Sequence, residues 1–301
     1  MEAWIPITIA GAFFQNLRSA VQRHLKGRLS TLGAAYVRFF YAWPFALLYL
    51  FGLHEIGGLA WPEPNLTFLA YSLAGGLSQI LFTVTLIWLF SFRNFAVGTT
   101  FSKTETVQVA VLSFLFLGDG LSWAAAIAIA ISMVGVMVLS LGQSKLSIRA
   151  LGSGLRERST LVGLLCGAFL GASVVFFRGA ALSLGYDGVV MAAAFSLTVA
   201  VVLQTVLMGL YLAIREPRTL VAVVVEWRWS LLVGLAGVGA SIAWFTAFTM
   251  QNAAYVRALG QIELVFTFFA SVVIFRETTN RMELTGILLV VAGILTLVLG
   301  R

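Results

Sequence analysis

Charge is scarce in this chain. Asp, Glu, Lys and Arg make up 10% of its 301 residues, where a soluble domain carries about 25%. Hydrophobic residues make up 60%, so a fold of this size could not cover its apolar surface in water. That excludes a soluble globular protein and makes the bilayer the natural solvent. Cysteine is almost absent. Cys166 stands alone, which excludes an intrachain disulfide and a cysteine metal cage. The only histidines, His24 and His54, lie near loops, so neither a metal site nor a cofactor is expected. Proline occurs five times against 29 glycines, a balance that suits close-packed membrane helices.

Long apolar runs are what the chain has instead. A spanning helix needs about 20 such residues. Ten segments qualify: 3–22, 30–53, 65–91, 96–117, 121–142, 161–184, 187–214, 228–250, 252–275 and 280–300. They are too long for barrel strands and lack their alternation. The chain therefore reads as an all-α integral membrane protein with ten transmembrane helices. The first segment follows Glu2 without a basic run and ends in Gln15, Asn16 and Arg18, so it is expected to be a permanent helix rather than a signal peptide.

The net charge of +7 sits mostly in loops. Those after spans 1, 3, 5, 7 and 9 carry Arg23, Lys26 and Arg28; Arg93; Lys145, Arg149, Arg156 and Arg158; Arg215, Arg218 and Arg228; and Arg276 and Arg281. Those after spans 2, 4, 6 and 8 carry no Lys or Arg. The positive-inside rule puts the odd-numbered loops in the cytoplasm and both termini outside, in the periplasm of a bacterial inner membrane. A nucleic-acid face would need basic residues clustered on a soluble surface, and none is present.

Residues 73–142 align with 231–300 at a constant offset of 158. Asn94 meets Asn252, Glu105 meets Glu263, Asp119 meets Glu277, Gly135 meets Gly293 and Gly142 meets Gly300. Gly11-Ala12-Phe13 is echoed by Gly167-Ala168-Phe169. Each half then has five spans, and an odd number forces the second copy to cross from the opposite side. The loop charges agree with that inversion. The expected organisation is one five-helix repeat over 1–142, a basic cytoplasmic linker over 143–160, and a second, inverted repeat over 161–301.

With Phe116-Leu117-Gly118-Asp119 followed by Gly120-Leu121-Ser122, with Ile274-Phe275-Arg276-Glu277, and with its glycine-punctuated closing helices, the chain resembles the drug/metabolite transporter superfamily in its EamA-type ten-helix form. The family usually shows Leu-Gly-Glu-Arg at these helix ends, and here the second copy lacks the Gly-Arg context. The resemblance covers nearly the whole chain. It implies a central cavity between the halves, alternating access, and a metabolite, a nucleotide sugar, a sugar phosphate or a drug as cargo.

Ionisable groups inside a span cost roughly 2.5–3.5 kcal/mol at a helix centre and mark functional sites by default. Glu105 and Glu263 lead the candidates, each about ten residues into its helix. They could hold a substrate amine or a coupling proton, or form a packing ion pair. Gln108 shares a face with Glu105 at i, i+3. Lys103 points about 200° away, toward a cross-helix partner or a substrate carboxylate. Gln261 is the repeat counterpart of Lys103, and Arg257 stands one turn before it, either functional or snorkelling. Arg38 is too deep to snorkel; it would hold a carboxylate or phosphate, or pair with Glu105. Gln15 and Asn16 face different sides of the first span, and at least one is expected to line a cavity. Gln79 and Gln204 are expected to bridge helices, and Arg178 to lie at the interface. Trp88 and Trp244 stand away from the helix ends that hold the other tryptophans and could stack on an aromatic or cationic cargo or pack against lipid or Phe.

These residues point to a secondary active transporter, an exporter of small metabolites such as amino acids, driven by protons and working as a monomer or weak homo-oligomer. No Walker-type loop is present, which excludes direct use of ATP. A multidrug exporter for lipophilic compounds is the rival transporter reading, and the intramembrane cations oppose it. An intramembrane enzyme would need GxSxG, HExxH or a histidine within a span, and the chain has none of these.

Overall fold

The structure is a computed structural model and describes residues 2–23, 25, 28–92, 95–144, 157–274, 276 and 278–300. Among the described residues every regular element is helical. In chain order these are α1 (Trp4–Arg23), α2 (Thr31–Phe40), α3 (Trp43–Glu55), α4 (Leu66–Phe90), α5 (Phe95–Ser102), α6 (Glu105–Leu117), α7 (Trp123–Ser144), α8 (Arg158–Ser183), α9 (Val189–Arg215), α10 (Pro217–Val225), α11 (Trp227–Met250), α12 (Ala253–Gly260), α13 (Ile262–Phe269), a π-helical segment Ala270–Ile274, and α14 (Arg281–Leu299).

Each expected segment coincides with one helix or with consecutive helices. Eight stretches have the length and apolarity to cross a membrane. The expected first and fourth spans are not among them. In α1 the closing turns carry Gln15, Asn16, Arg18, Gln22 and Arg23. The fourth is divided at Lys103–Thr104 into helices of 8 and 13 residues. The short helix α10 lies where only a basic loop was expected. Much of the basic linker, 145–156, lies outside the described residues, as do His24, Lys26, Arg93, Asn94, Phe275 and Glu277.

The chain forms two compact units, and each draws on both sequence halves. Unit 1 is Met1–Ile80 with Phe176–Gln251; unit 2 is Leu81–Val175 with Asn252–Arg301. In unit 1, α1 lies along α11. A Cβ at Gly11 would stand 3.3 Å from Ala243 and Trp244, and one at Gly239 3.3 Å from Phe14. Bare glycines thus let the two helices approach, as small residues do in membranes. Helix α2 starts at Ser30, whose hydroxyl accepts from the Gly33 amide at 3.1 Å, a standard N-cap. It stops at a turn over Tyr41–Ala42, after which Pro44 restarts the helix as α3, the position that tolerates a missing N–H. Gln204, 1% exposed on α9, donates to Gln79 on α4 at 2.6 Å, the expected inter-helix bridge.

In unit 2, α7 and α14 pack glycine against backbone. A Cβ at Gly135 would stand 2.9 Å from the Gly286 carbonyl and 2.7 Å from the Val290 amide. One at Gly293 would stand 2.9 Å from the Ala128 carbonyl and meet the Ser132 hydroxyl. One at Gly142 would stand 2.9 Å from the Glu283 amide. Numbers rise along α7 as they fall along α14, so the helices run antiparallel. The contacts are also reciprocal: adding 158 to 128, 132 and 135 yields 286, 290 and 293. Asn280 starts α14 with a capping box through Glu283, and its amide also reaches the Gly142 carbonyl at 3.0 Å.

Candidate functional site

Two spans of unit 2 tighten at corresponding places. The amides of Lys103 and Thr104 donate three residues back, to Thr100 and Phe101 at 3.2 and 3.1 Å. The Gln261 amide donates to Ala258 at 3.3 Å, and that of Leu264 to Gln261 at 2.9 Å. These are 3₁₀ steps inside otherwise α-helical runs, a geometry that often marks a functional hinge. Lys103 and Gln261 are 158 residues apart.

Glu105 opens α6 directly after the first step and is 6% exposed. Arg257, 8% exposed, approaches it from the last turn of α12, and its Nη2 donates to the Glu105 carboxylate. Beside this ion pair the Gln261 amide, 5% exposed, donates to the Thr106 hydroxyl at 3.0 Å. Glu263, half-buried, adds a second carboxylate field at Arg257. One guanidinium therefore answers two acids. Removing one partner of such a buried pair leaves an uncompensated charge, at a cost of about 3–5 kcal/mol.

Lys103 is partly buried and acts electrostatically on Cys166. Among the described residues its amine forms no ion pair or hydrogen bond. Gln108 turns toward α8, donating to the Thr104 hydroxyl at 2.9 Å and the Leu164 carbonyl at 3.3 Å. Its own carbonyl oxygen is buried with no hydrogen-bond partner among the described residues. Unit 2 thus gathers Lys103, Glu105, Gln108, Arg257, Gln261 and Glu263 around the two 3₁₀ steps.

The remaining candidates lie elsewhere. Trp244 is buried in unit 1 and donates its indole N–H to Gln15 at 3.1 Å; Asn16 is half-buried beside it in sequence. Arg38, in the last turn of α2, lies over the Phe39 ring at 4.6 Å. Trp88 departs from expectation. It sits in the last turn of α4, is 53% exposed and neighbours Phe92 at 5.7 Å, which is the placement of an interfacial belt residue. Arg178, expected at the interface, caps the end of α11, donating to the Phe248 carbonyl and to that of Gln251 at 2.7 Å. Sequence reasoning also missed Thr106 and Thr104. Threonine is common in apolar helices, so neither carries a signal until its amide partner is known.

Similarity to known proteins follows the same lines. A solved crystal structure aligns over 99% of this chain and 97% of its own, with a TM-score of 0.70 at 13% identity, a likeness of fold. No curated protein matches the sequence. Residues 158–299 match the model of the EamA-like transporter family, whose members are transporters rather than enzymes. With its apolar helices the molecule is a multi-pass membrane protein, and its residues 158–299 match the EamA-like transporter family, part of the drug/metabolite transporter superfamily.

Proposed function

We propose that the chain is a secondary active exporter of small organic metabolites, amino acids among them, working by alternating access. Its ten spans form two inverted five-helix repeats, 1–142 and 161–301, joined by the cytoplasmic linker, with both termini in the periplasm of a bacterial inner membrane. The antiparallel, reciprocal packing of α7 on α14 supports that inversion. So does the pair of 3₁₀ steps at equivalent positions, because interrupted helices at repeat-related places are where such transporters bind cargo.

The observation that carries the proposal is the buried ion pair of Glu105 and Arg257 beside those steps. A zwitterion can replace it without leaving a charge uncompensated. The cargo carboxylate takes Arg257, the cargo amine takes Glu105, and the Glu105–Arg257 bond opens. Glu263, already within the field of Arg257, is the second carboxylate and the carrier of a coupling proton. Closing the pair again expels the cargo.

Proteoliposomes with an imposed pH gradient and a labelled amino acid mixture test this. Uptake into inverted vesicles should fall at least about tenfold in Glu105→Gln, and dependence on the gradient should be lost in Glu263→Gln. Wild-type rates in both variants, at normal membrane levels, would assign the carboxylates to packing alone.

A further inference from the structure

Helix α10 is held on one face and bare on the other. Val223 is buried in a cluster with Leu29, Tyr36 and Leu212, and Leu220 packs against it. The Tyr41 hydroxyl donates to the Val223 carbonyl at 3.1 Å. A Cβ at Gly33 would stand 2.7 Å from the Thr219 methyl, so the helix lies hard against the start of α2. The acids at its two ends are engaged. Glu216 accepts from the hydroxyls of Thr219 at 3.0 Å and Ser30 at 3.3 Å, and Glu226 pairs with Arg28 at 3.2 Å. At about 100° per residue, Arg218, Val221, Val224 and Val225 fall on the arc opposite Val223, and all four are exposed. The three valines are more than half exposed, as are Ile214 at the end of α9 and Trp227 at the start of α11. Arg215 and Arg228 are exposed as well, and Arg228 lies over the Trp227 ring at 5.6 Å. Among the described residues Arg215, Arg218 and Arg228 form no ion pair.

We infer that the bare face of α10, with the helix ends on either side of it, is a docking surface for anionic phospholipids. Helix α10 joins the end of one span, Val189–Arg215, to the start of the next, Trp227–Met250, so it lies at a membrane surface. There an amphipathic helix buries its apolar arc among the upper acyl chains and holds basic side chains level with the headgroups. The exposed apolar side chains of α9, Leu210 and Ile214, lead along the chain into the valines of α10, so the lipid-facing surface of the span extends onto it. Arg215, Arg218 and Arg228 border that surface, and the guanidinium fork matches the paired oxygens of a phosphate. A negatively charged leaflet attracts each of them. A second copy of the chain fits poorly, because a two-fold interface sets a face against itself and would bring three arginines against three. The surface is independent of what the chain carries.

Tryptophan quenching in proteoliposomes tests the surface. The full chain is reconstituted in phosphatidylcholine with a fixed share of brominated phosphatidylglycerol or of brominated phosphatidylcholine. Subtracting a Trp227→Phe partner isolates the Trp227 signal, and the ratio of the two quenching constants, taken within each variant, cancels changes in brightness. In the wild-type chain the ratio should favour phosphatidylglycerol at least about fivefold, the equivalent of one arginine near a charged surface. Arg218→Gln should lower it, and combining Arg215→Gln, Arg218→Gln and Arg228→Gln should abolish the preference. Arg158→Gln removes an exposed arginine from unit 2 and should keep the wild-type ratio. The substituted side chains are exposed, so melting temperatures in detergent should match wild type. A wild-type chain without preference overturns the proposal, as does a triple variant that keeps the wild-type ratio. Equal losses from Arg158→Gln and Arg218→Gln overturn it too, because they would assign the preference to net charge alone. A Trp227 that neither lipid quenches, in a chain that cross-links as a dimer, would give the face to a second copy instead.

Discussion

The two units handle buried polarity differently. In unit 2 both signs of charge stand together: Glu105 and Arg257 are bonded, Glu263 adds its field at the same guanidinium, and Lys103 follows directly after α5. In unit 1 the ion pair of Arg28 and Glu226 is partly exposed, and the buried neutral side chains pair among themselves, Gln204 with Gln79 and Trp244 with Gln15. Glycine is also used differently. In unit 2 it brings backbone against backbone, as at Gly135 and Gly286. In unit 1 it more often brings backbone against a side chain, as at Gly75, where a Cβ would meet the Phe177 ring at 2.7 Å. One unit is locked by contacts that cannot yield; the other has room to adjust.

The sharpest way to break that contrast is through charge. Glu105→Leu strands Arg257 and should cost about 3–5 kcal/mol, read as a large drop in melting temperature in detergent. Adding Arg257→Leu should restore most of it. Arg38→Leu removes a charge that forms no ion pair among the described residues and should leave stability unchanged or higher. Equal losses from Glu105→Leu and Arg38→Leu would erase the distinction between the units. Next in size is the glycine comparison. Gly293→Ala drives a methyl into the Ala128 carbonyl and Ser132 and should cost about 1–3 kcal/mol. Gly75→Ala meets a ring that can rotate aside and should cost less in the same melt. The smallest effect lies within unit 2. Gly118 caps α6 at φ +70, and Arg276, its counterpart at offset 158, holds φ +53. A side chain in that region costs roughly 1–2 kcal/mol, so Arg276→Gly should stabilise by up to about 1 kcal/mol while Gly118→Ala destabilises. A loss on Arg276→Gly would mean that the arginine contributes a contact worth more than its strain.

Helix placement was legible because apolar length is a one-dimensional property. The expected segment 65–91 became Leu66–Phe90, and 280–300 became Arg281–Leu299. The interruptions were not legible. Thr104 and Gln261 keep helical dihedrals, so no glycine or proline announces the 3₁₀ steps. Glu105 and Arg257 were each visible as misplaced charges, but pairing depends on the crossing of α6 and α12, which no local pattern encodes. The face shared by Glu105 and Gln108 misled for a related reason: Gln108 turns back to Thr104 and across to Leu164. Trp88 looked internal because the last turn of α4 is as apolar as its middle.

The reciprocal contact of α7 and α14 has a consequence beyond packing. The positions that α7 presents, Ala128, Ser132 and Gly135, meet residues of α14 that carry the same three numbers advanced by 158. Such a surface is complementary to an upside-down copy of itself. Two separate polypeptides of half this length, inserted in opposite orientations, could dock through it without any new residue. Joining them into one chain would require only a connector, and would free each copy to change alone. At the same offset Glu263 matches Glu105, whereas Arg257 matches Thr99 and Gln261 matches Lys103. The asymmetry needed to make one ion pair rather than two is the kind of change that a fused chain permits and a homodimer forbids.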